Sequence, residues 1–221
     1  MKNRYFKAVC LAVLAIIGLI VQESLGAEVY GKNERPALKT APQPRVNRYR
    51  TATRPAEVDC ECNPGLYSVI YLTQDDTANI NFVPDTSRMA QKDTRFAPSV
   101  LAVAVGSTVD FPNLDPFFHN VFSYSKTKKF DLGRYPQGNT SLVTFDKPGL
   151  VKVFCEIHSS MRAYVHVLET PYSAVSDKDG HFHIANVPPG EYILHLWQEN
   201  QPDYTEPVRI AADSVYLSVE P

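Results

Sequence analysis

Between Phe154 and Met161 the chain reads Phe-Cys-Glu-Ile-His-Ser-Ser-Met, with a thiol at Cys155, an imidazole at His158 and a thioether at Met161 spaced three apart. A thiolate and an imidazole bind a copper ion strongly, and a thioether serves as a weak, long axial ligand. A trigonal site of one thiolate and two imidazoles needs a second histidine. His119 offers one upstream, in Pro116-Phe117-Phe118-His119-Asn120-Val121. This split constrains the fold, which must carry a distant loop back onto the sulfur-bearing one. Phe117, Phe118, Val121 and Phe154 are apolar neighbours that would keep water from such a site, and the Asn120 side chain could tie the two loops together.

Other chemistries use parts of this set. Cys-x-x-His is half of a zinc site, but no second pair of that kind occurs in the body, and zinc does not favour a thioether. Cys155 and His158 could act as nucleophile and base. Cys155 could also be a buried hydrophobe beside surface residues. The equal spacings and the distant histidine favour copper.

The body is punctuated as a β-protein. Strand candidates are Leu66–Leu72, Ser99–Val105, Thr108–Phe111, Asn120–Ser123, Ser141–Phe145, Gly149–Phe154 and Ala163–Leu168, with turn residues such as Asp146-Lys147-Pro148-Gly149 between them. Asp75–Gln91 is polar, carries Pro84 and reads as a loop. Beyond Pro171 come a turn at Ser176–Gly180, strands at His181–Ile184 and Tyr192–Trp197, and one or two more between Glu206 and Val219. Many short strands and no helical period argue an all-β sandwich or barrel. A tail of about 50 residues is too short for a core of its own, so it should pack on the preceding sandwich, with the Leu66–Thr73 strand a candidate to complete it.

The N-terminus carries Lys2, Arg4 and Lys7, then an uncharged apolar run from Ala8 to Val21 and the small residues around Gly26. That is the pattern of a secretory signal, too short for a comfortable membrane span. Removing residues 1–26 takes Cys10 with it and leaves Cys60, Cys62 and Cys155, an odd number for an exported chain. Cys155 as a metal ligand would account for the unpaired thiol. Cys60 and Cys62, one residue apart, could pair between chains, bind a soft metal or exchange thiols. Residues 27–59 hold seven Lys or Arg against four Asp or Glu and read as part of a basic, flexible arm (27–63). From Cys60 onward the balance is 12 basic to 19 acidic; export argues against nucleic acid as the arm's partner, and a solvated linker is favoured over docking to an acidic partner.

Val105-Gly106-Ser107-Thr108-Val109-Asp110-Phe111-Pro112-Asn113, His119-Asn120-Val121 and the Cys155 loop together resemble a cupredoxin. The ligand spacing resembles amicyanin. Phe130-Asp131-Leu132-Gly133, Thr144–Gly149 and Cys155–His158 resemble plastocyanin-like proteins labelled methylamine utilisation proteins. Asp177–Phe182 with Val187–Tyr192 is similar to a carboxypeptidase regulatory-like module. The resemblance implies an all-β, Greek-key β-sandwich over 64–170 with a small β-module over 171–221. It implies one type 1 copper held by His119, Cys155, His158 and Met161, and no catalysis. The expected role is periplasmic or otherwise exported single-electron transfer to a partner of the cytochrome or dehydrogenase class, with no membrane span after signal removal. The competing expectation is copper storage or delivery, with Cys60, Cys62 and Met89 as accessory ligands. His181 and His183 share a strand face and could form a second site or be plain surface residues, while His166 and His195 read as structural.

Overall fold

The structure, a computed structural model, describes residues 26–35, 63–74, 84–211 and 214–220. The expected signal peptide (all but Gly26), most of the expected basic arm, Cys60 and Cys62 lie outside the described residues. The described chain is all-β. Its strands are β1 (Ala27–Asn33), β2 (Ser68–Thr73), β3 (Thr86–Arg88), β4 (Ala90–Lys92), β5 (Arg95–Ala97), β6 (Val100–Ala104), β7 (Thr108–Asp110), β8 (His119–Tyr124) and β9 (Lys129–Tyr135). There follow β10 (Leu142–Thr144), β11 (Gly149–Phe154), β12 (Arg162–Leu168), β13 (Ser173–Val175), β14 (His181–Val187), β15 (Gly190–Gln198), β16 (Tyr204–Ile210) and β17 (Val215–Val219). No described helix is long and apolar enough to cross a membrane.

The central stretch, β3 to β12, forms one sandwich. A five-stranded sheet ordered β6-β12-β11-β8-β9 faces a three-stranded sheet ordered β10-β7-β3, with the β4–β5 hairpin beside them. Period-two alternation sends Val151, Val153, Ala163, Val165 and Val167 inward against Val109, Phe111, Val143 and Phe145. Cys155 and Met161 belong to the same buried cluster.

The remaining strands form a second sandwich around another core. Sheets β14-β1-β17 and β13-β2-β15-β16 meet through Val29, Ile70, Leu72, Phe182, Ile184, Leu194 and Leu196. Two expectations are corrected here. The arm expected over 27–63 begins with a strand, because Ala27, Val29 and Gly31 alternate onto a buried face while Arg35 and the later basic residues lie beyond it. At Gly31 the Phe182 ring and the Leu217 carbonyl occupy the space a Cβ would need, so the central strand can be flanked this closely only with glycine there. The strand at 68–73, expected within a cupredoxin-like domain over 64–170, pairs instead with β13 and β15. Its Ile70 and Leu72 cover the apolar faces that the tail alone could not bury. The β3–β12 sandwich is therefore inserted between two strands of the other one.

The two bodies meet on the outer face of the five-stranded sheet. Val100, Tyr164 and Leu168 pack on Val69, with Tyr71, Val175 and Trp197 around them. Arg162 forms an ion pair with Glu199, and the Tyr164 hydroxyl donates to the same carboxylate at 2.7 Å. His166 sits at the edge of this contact, beside a cavity of about 360 Å³ also lined by Tyr71, His195 and Asp203. Burial lowers its pKa to about 4; Asp203 opposes the shift and His195 adds to it.

Two measurements test this layout. Val29 is fully buried in the second core, and Val29→Ala should cost about 2 kcal/mol in urea unfolding, from lost burial plus residual cavity. His166 is buried neutral, so the unfolded chain binds more protons between its ordinary pKa of about 6.5 and the folded value. Its contribution should be intact above pH 6.5 and lost as pH falls toward 4, by roughly 3 kcal/mol at most. His166→Gln should flatten the pH dependence of the unfolding free energy across that window.

Candidate metal centre

The site begins with backbone bookkeeping in the loop before His119. The buried Asn113 side chain donates to the carbonyls of Phe117 (2.8 Å) and Tyr135 (3.0 Å), and its oxygen accepts from the Asp115 N–H (2.9 Å). Asp115 is thereby aimed inward. Its carboxylate accepts backbone N–H groups from Asp93 (2.7 Å) and Thr94 (2.9 Å), the two central residues of the β4–β5 turn. Both lie at positive φ, 53° and 56°, a conformation that a β-branched threonine rarely adopts. The primed turn needed for a two-residue hairpin usually takes Asn-Gly or Asp-Gly. Here the paired N–H groups gain a buried anion in return.

The same carboxylate is 2.7 Å from His119 Nε2. Burial alone would raise the Asp115 pKa, but hydrogen bonds from Thr94, His119 and Asp93 outweigh it and the pKa is lowered. An ionised carboxylate can only accept, so Nε2 of His119 carries the proton and Nδ1 presents a lone pair. That Nδ1 is 3.8 Å from Cys155 Sγ and 3.1 Å from His158 Nδ1, and the sulfur is 3.9 Å from His158 Nδ1. The point equidistant from all three atoms lies in their plane at about 2.1 Å from each. Metal–nitrogen bonds run about 2.0–2.1 Å and metal–thiolate bonds about 2.3 Å. Three donor atoms converge on one space, and these distances admit one cation held trigonally. Among the described residues this is the one such cluster of His, Cys, Asp and Glu.

The second loop is the β11–β12 connection. Its last ladder pair is Phe154 with Arg162, and two backbone bonds fold the residues between: Cys155 N–H to Met161 O (3.3 Å) and Met161 N–H to His158 O (2.9 Å). The second bond is an i to i+3 turn, so the three-residue spacing from His158 to Met161 is the turn itself. Asn120 joins the loops as expected. Its oxygen accepts from the Glu156 N–H and its amide donates to Asp131, both at 2.8 Å.

His119, Cys155 and His158 are thus brought together, and Met161 is buried in the same cluster. His119 is fully buried and His158 partly exposed. Phe117 packs against both rings, at 5.1 and 5.7 Å between centroids. Two expected shielding residues do not shield: Phe118 is 55% exposed, and Phe154 points to the opposite sheet face, where it meets Phe122. Met89 is fully buried in the core, and the exposed His181 and His183 each pair with a carboxylate rather than with one another. Asp115 is the functional residue that sequence reading missed. Its signals were an aspartate four residues before the ligand histidine and the Asn113-x-Asp115 turn pattern.

Residues 84–168 match the family of copper binding proteins of the plastocyanin/azurin type. The sandwich over this stretch is cupredoxin-like. Cupredoxins bind copper, and the His119–Cys155–His158 cluster suits that ion in ligand type and spacing. Residues 164–216 match a different family, domain II of polysaccharide lyase family 4. Among solved structures, the copper-containing nitrite reductase of Thermus scotoductus is similar at 26% identity over 41% of this chain, with a TM-score of 0.37. The match spans 24% of the reductase. A purple cupredoxin from Nitrosopumilus maritimus is 22% identical over 37% of this chain and 99% of its own, with a TM-score of 0.34. A reduced amicyanin variant is 19% identical over 45% of this chain and 98% of its own, with a TM-score of 0.36. Comparison with curated sequences gave no match.

Carboxylates that orient a ligand histidine are typically worth 10- to 100-fold in metal affinity. Asp115→Asn should therefore weaken copper binding by about that factor in a chelator competition, with the three ligands still present.

Proposed function

We propose that the chain is an exported type 1 (blue) copper protein that carries single electrons between redox partners. The observation that supports this best is the convergence of His119 Nδ1, Cys155 Sγ and His158 Nδ1 to within 3.9 Å of one another. His119, Cys155 and His158 would hold copper there, which would supply a one-electron couple, and the Met161 thioether would be the weak further ligand that tunes its potential. The protein supplies rigidity. His119 is fixed by Asp115, the Cys155 loop is closed by its own turn, and Asn120 locks one loop to the other. Ligands held by the protein need little rearrangement when charge changes. Four protein ligands also leave no open position for a substrate, which favours transfer over catalysis.

The partly exposed His158 packs against Phe117 and follows Ile157, and these two with Leu114 and Phe118 of the His119 loop are each 41% exposed or more. This apolar end is the expected contact for a cytochrome or dehydrogenase, through the small interface typical of redox encounters. The signal-like N-terminus favours a periplasmic or other exported location. The resemblance of the ligand loops to plastocyanin-like methylamine utilisation proteins supports this reading, and the Asp177–Phe182 and Val187–Tyr192 segments resemble a carboxypeptidase regulatory-like module.

Adding Cu(II) to the purified protein should give a blue colour with intense absorption near the red end of the spectrum. Cys155→Ser should abolish the band, and Met161→Leu should keep it while shifting the reduction potential. A colourless Cu(II) complex of the unaltered protein would sink the reading.

A further inference from the structure

Among the described residues, the outer face of the five-stranded sheet is only half covered. The second sandwich packs on β6 and β12 and stops at β11. On β11 and β8 the same face is left with Phe122, Tyr124 and Phe154, in contact at centroid distances of 5.2 and 5.9 Å. Tyr124 is 69% exposed. Beside them runs a groove of about 500 Å³ lined by Lys126 and Lys152, and Lys129 lies over the Tyr124 ring at 5.5 Å. These three lysines form no ion pair among the described residues, whereas Lys128 is taken up by Asp146.

Charge is distributed unevenly along the chain. Residues 120–154 hold six Lys or Arg and two Asp or Glu, while the rest of the chain from Cys60 onward holds six against seventeen. The stretch is basic within an otherwise acidic chain; Lys128 and Arg134 in it are ion-paired and Asp131 stands across from Phe122, which leaves Lys126, Lys129 and Lys152 near the aromatic cluster. Aromatic residues at the middle with charge around them are the anatomy of a protein contact. Three lysines would neutralise too few phosphates for useful nucleic-acid affinity.

We propose that this open face is a docking surface for an acidic protein, separate from the apolar end where His158 emerges. The lysines steer the encounter over about one Debye length, ~10 Å at 0.1 M salt, and the aromatic cluster supplies the contact. The proposal goes beyond the electron-carrier reading and does not require it.

The test is chemical-shift mapping of the isotopically labelled protein with two acidic probes, a c-type cytochrome of net negative charge and an acidic ferredoxin. A basic cytochrome and anionic phospholipid vesicles serve as controls. At low salt, at least one acidic probe should shift resonances of β8 and β11, and the basic cytochrome should not. Lys126→Glu, Lys129→Glu and Lys152→Glu combined should weaken binding at least tenfold and reduce its salt dependence. Tyr124→Ala should weaken it several-fold with the salt dependence kept. All four side chains are exposed, so spectra of the free variants check the fold directly. Shifts confined to Leu114, Phe117 and Ile157 overturn the proposal, as do no shifts with either acidic probe. Binding to vesicles but not to the proteins overturns it in favour of a membrane surface.

Discussion

One buried carboxylate connects the metal centre to the rest of the domain. Asp115 takes two N–H groups from the Asp93–Thr94 turn and one from His119. Each contact solves a problem for another part of the chain. The turn has a threonine in a left-handed conformation that needs compensation. The carboxylate, nearly inaccessible to water, needs donors, and three of them hold its pKa down against burial. The imidazole needs a fixed tautomer, and an acceptor-only neighbour at Nε2 sets it. The turn between two three-residue strands thereby decides which nitrogen of His119 faces Cys155.

The inserted topology matters to the same site. The chain leaves the outer sandwich at the end of β2 and re-enters it at β13, and Ser173 pairs with Tyr71. The two ends of the cupredoxin-like domain are therefore pinned to neighbouring strands, an arrangement that tolerates insertion well. The outer sandwich in turn depends on strands that lie far apart in sequence. β1 pairs with β14 and β17, and β2 with β13 and β15. Such long-range pairing folds slowly, because the loops must close before their contacts form.

Much of this was legible in the sequence, and the failures have physical causes. The two histidines and the cysteine that the fold brings together could be named because few other chemistries use a thiol, two imidazoles and a thioether together. Strands with clean alternation, such as β11 and β12, stood out. β1 did not, because averaging charge over residues 27–59 hid a short apolar alternation that ends before the basic cluster. β4 was read as loop because Gln91 is polar. It is nonetheless fully buried, its amide donating to the Phe111 carbonyl and the Tyr135 hydroxyl. Composition suggests burial only for apolar side chains, and a polar one held by partners that are distant in sequence leaves no local trace. Asp115 is the same case.

The pleat of β11 explains how one strand can serve both a metal centre and an open surface. Phe154 and Cys155 are neighbours, and alternation sends their side chains to opposite sides of the sheet. Cys155 turns into the core beside Met161, while Phe154 turns out beside Phe122. A shift of register by one residue would exchange the two, exposing the thiol and burying the ring where the imidazoles stand. The pairings of Phe154 with both Arg162 and Phe122 exclude that shift. The inner face can then be dry and rigid for the ligands while the outer face stays free to vary in charge. The position of the thiol is thus fixed by six consecutive β11–β12 pairs, well before its own hydrogen bonds are counted.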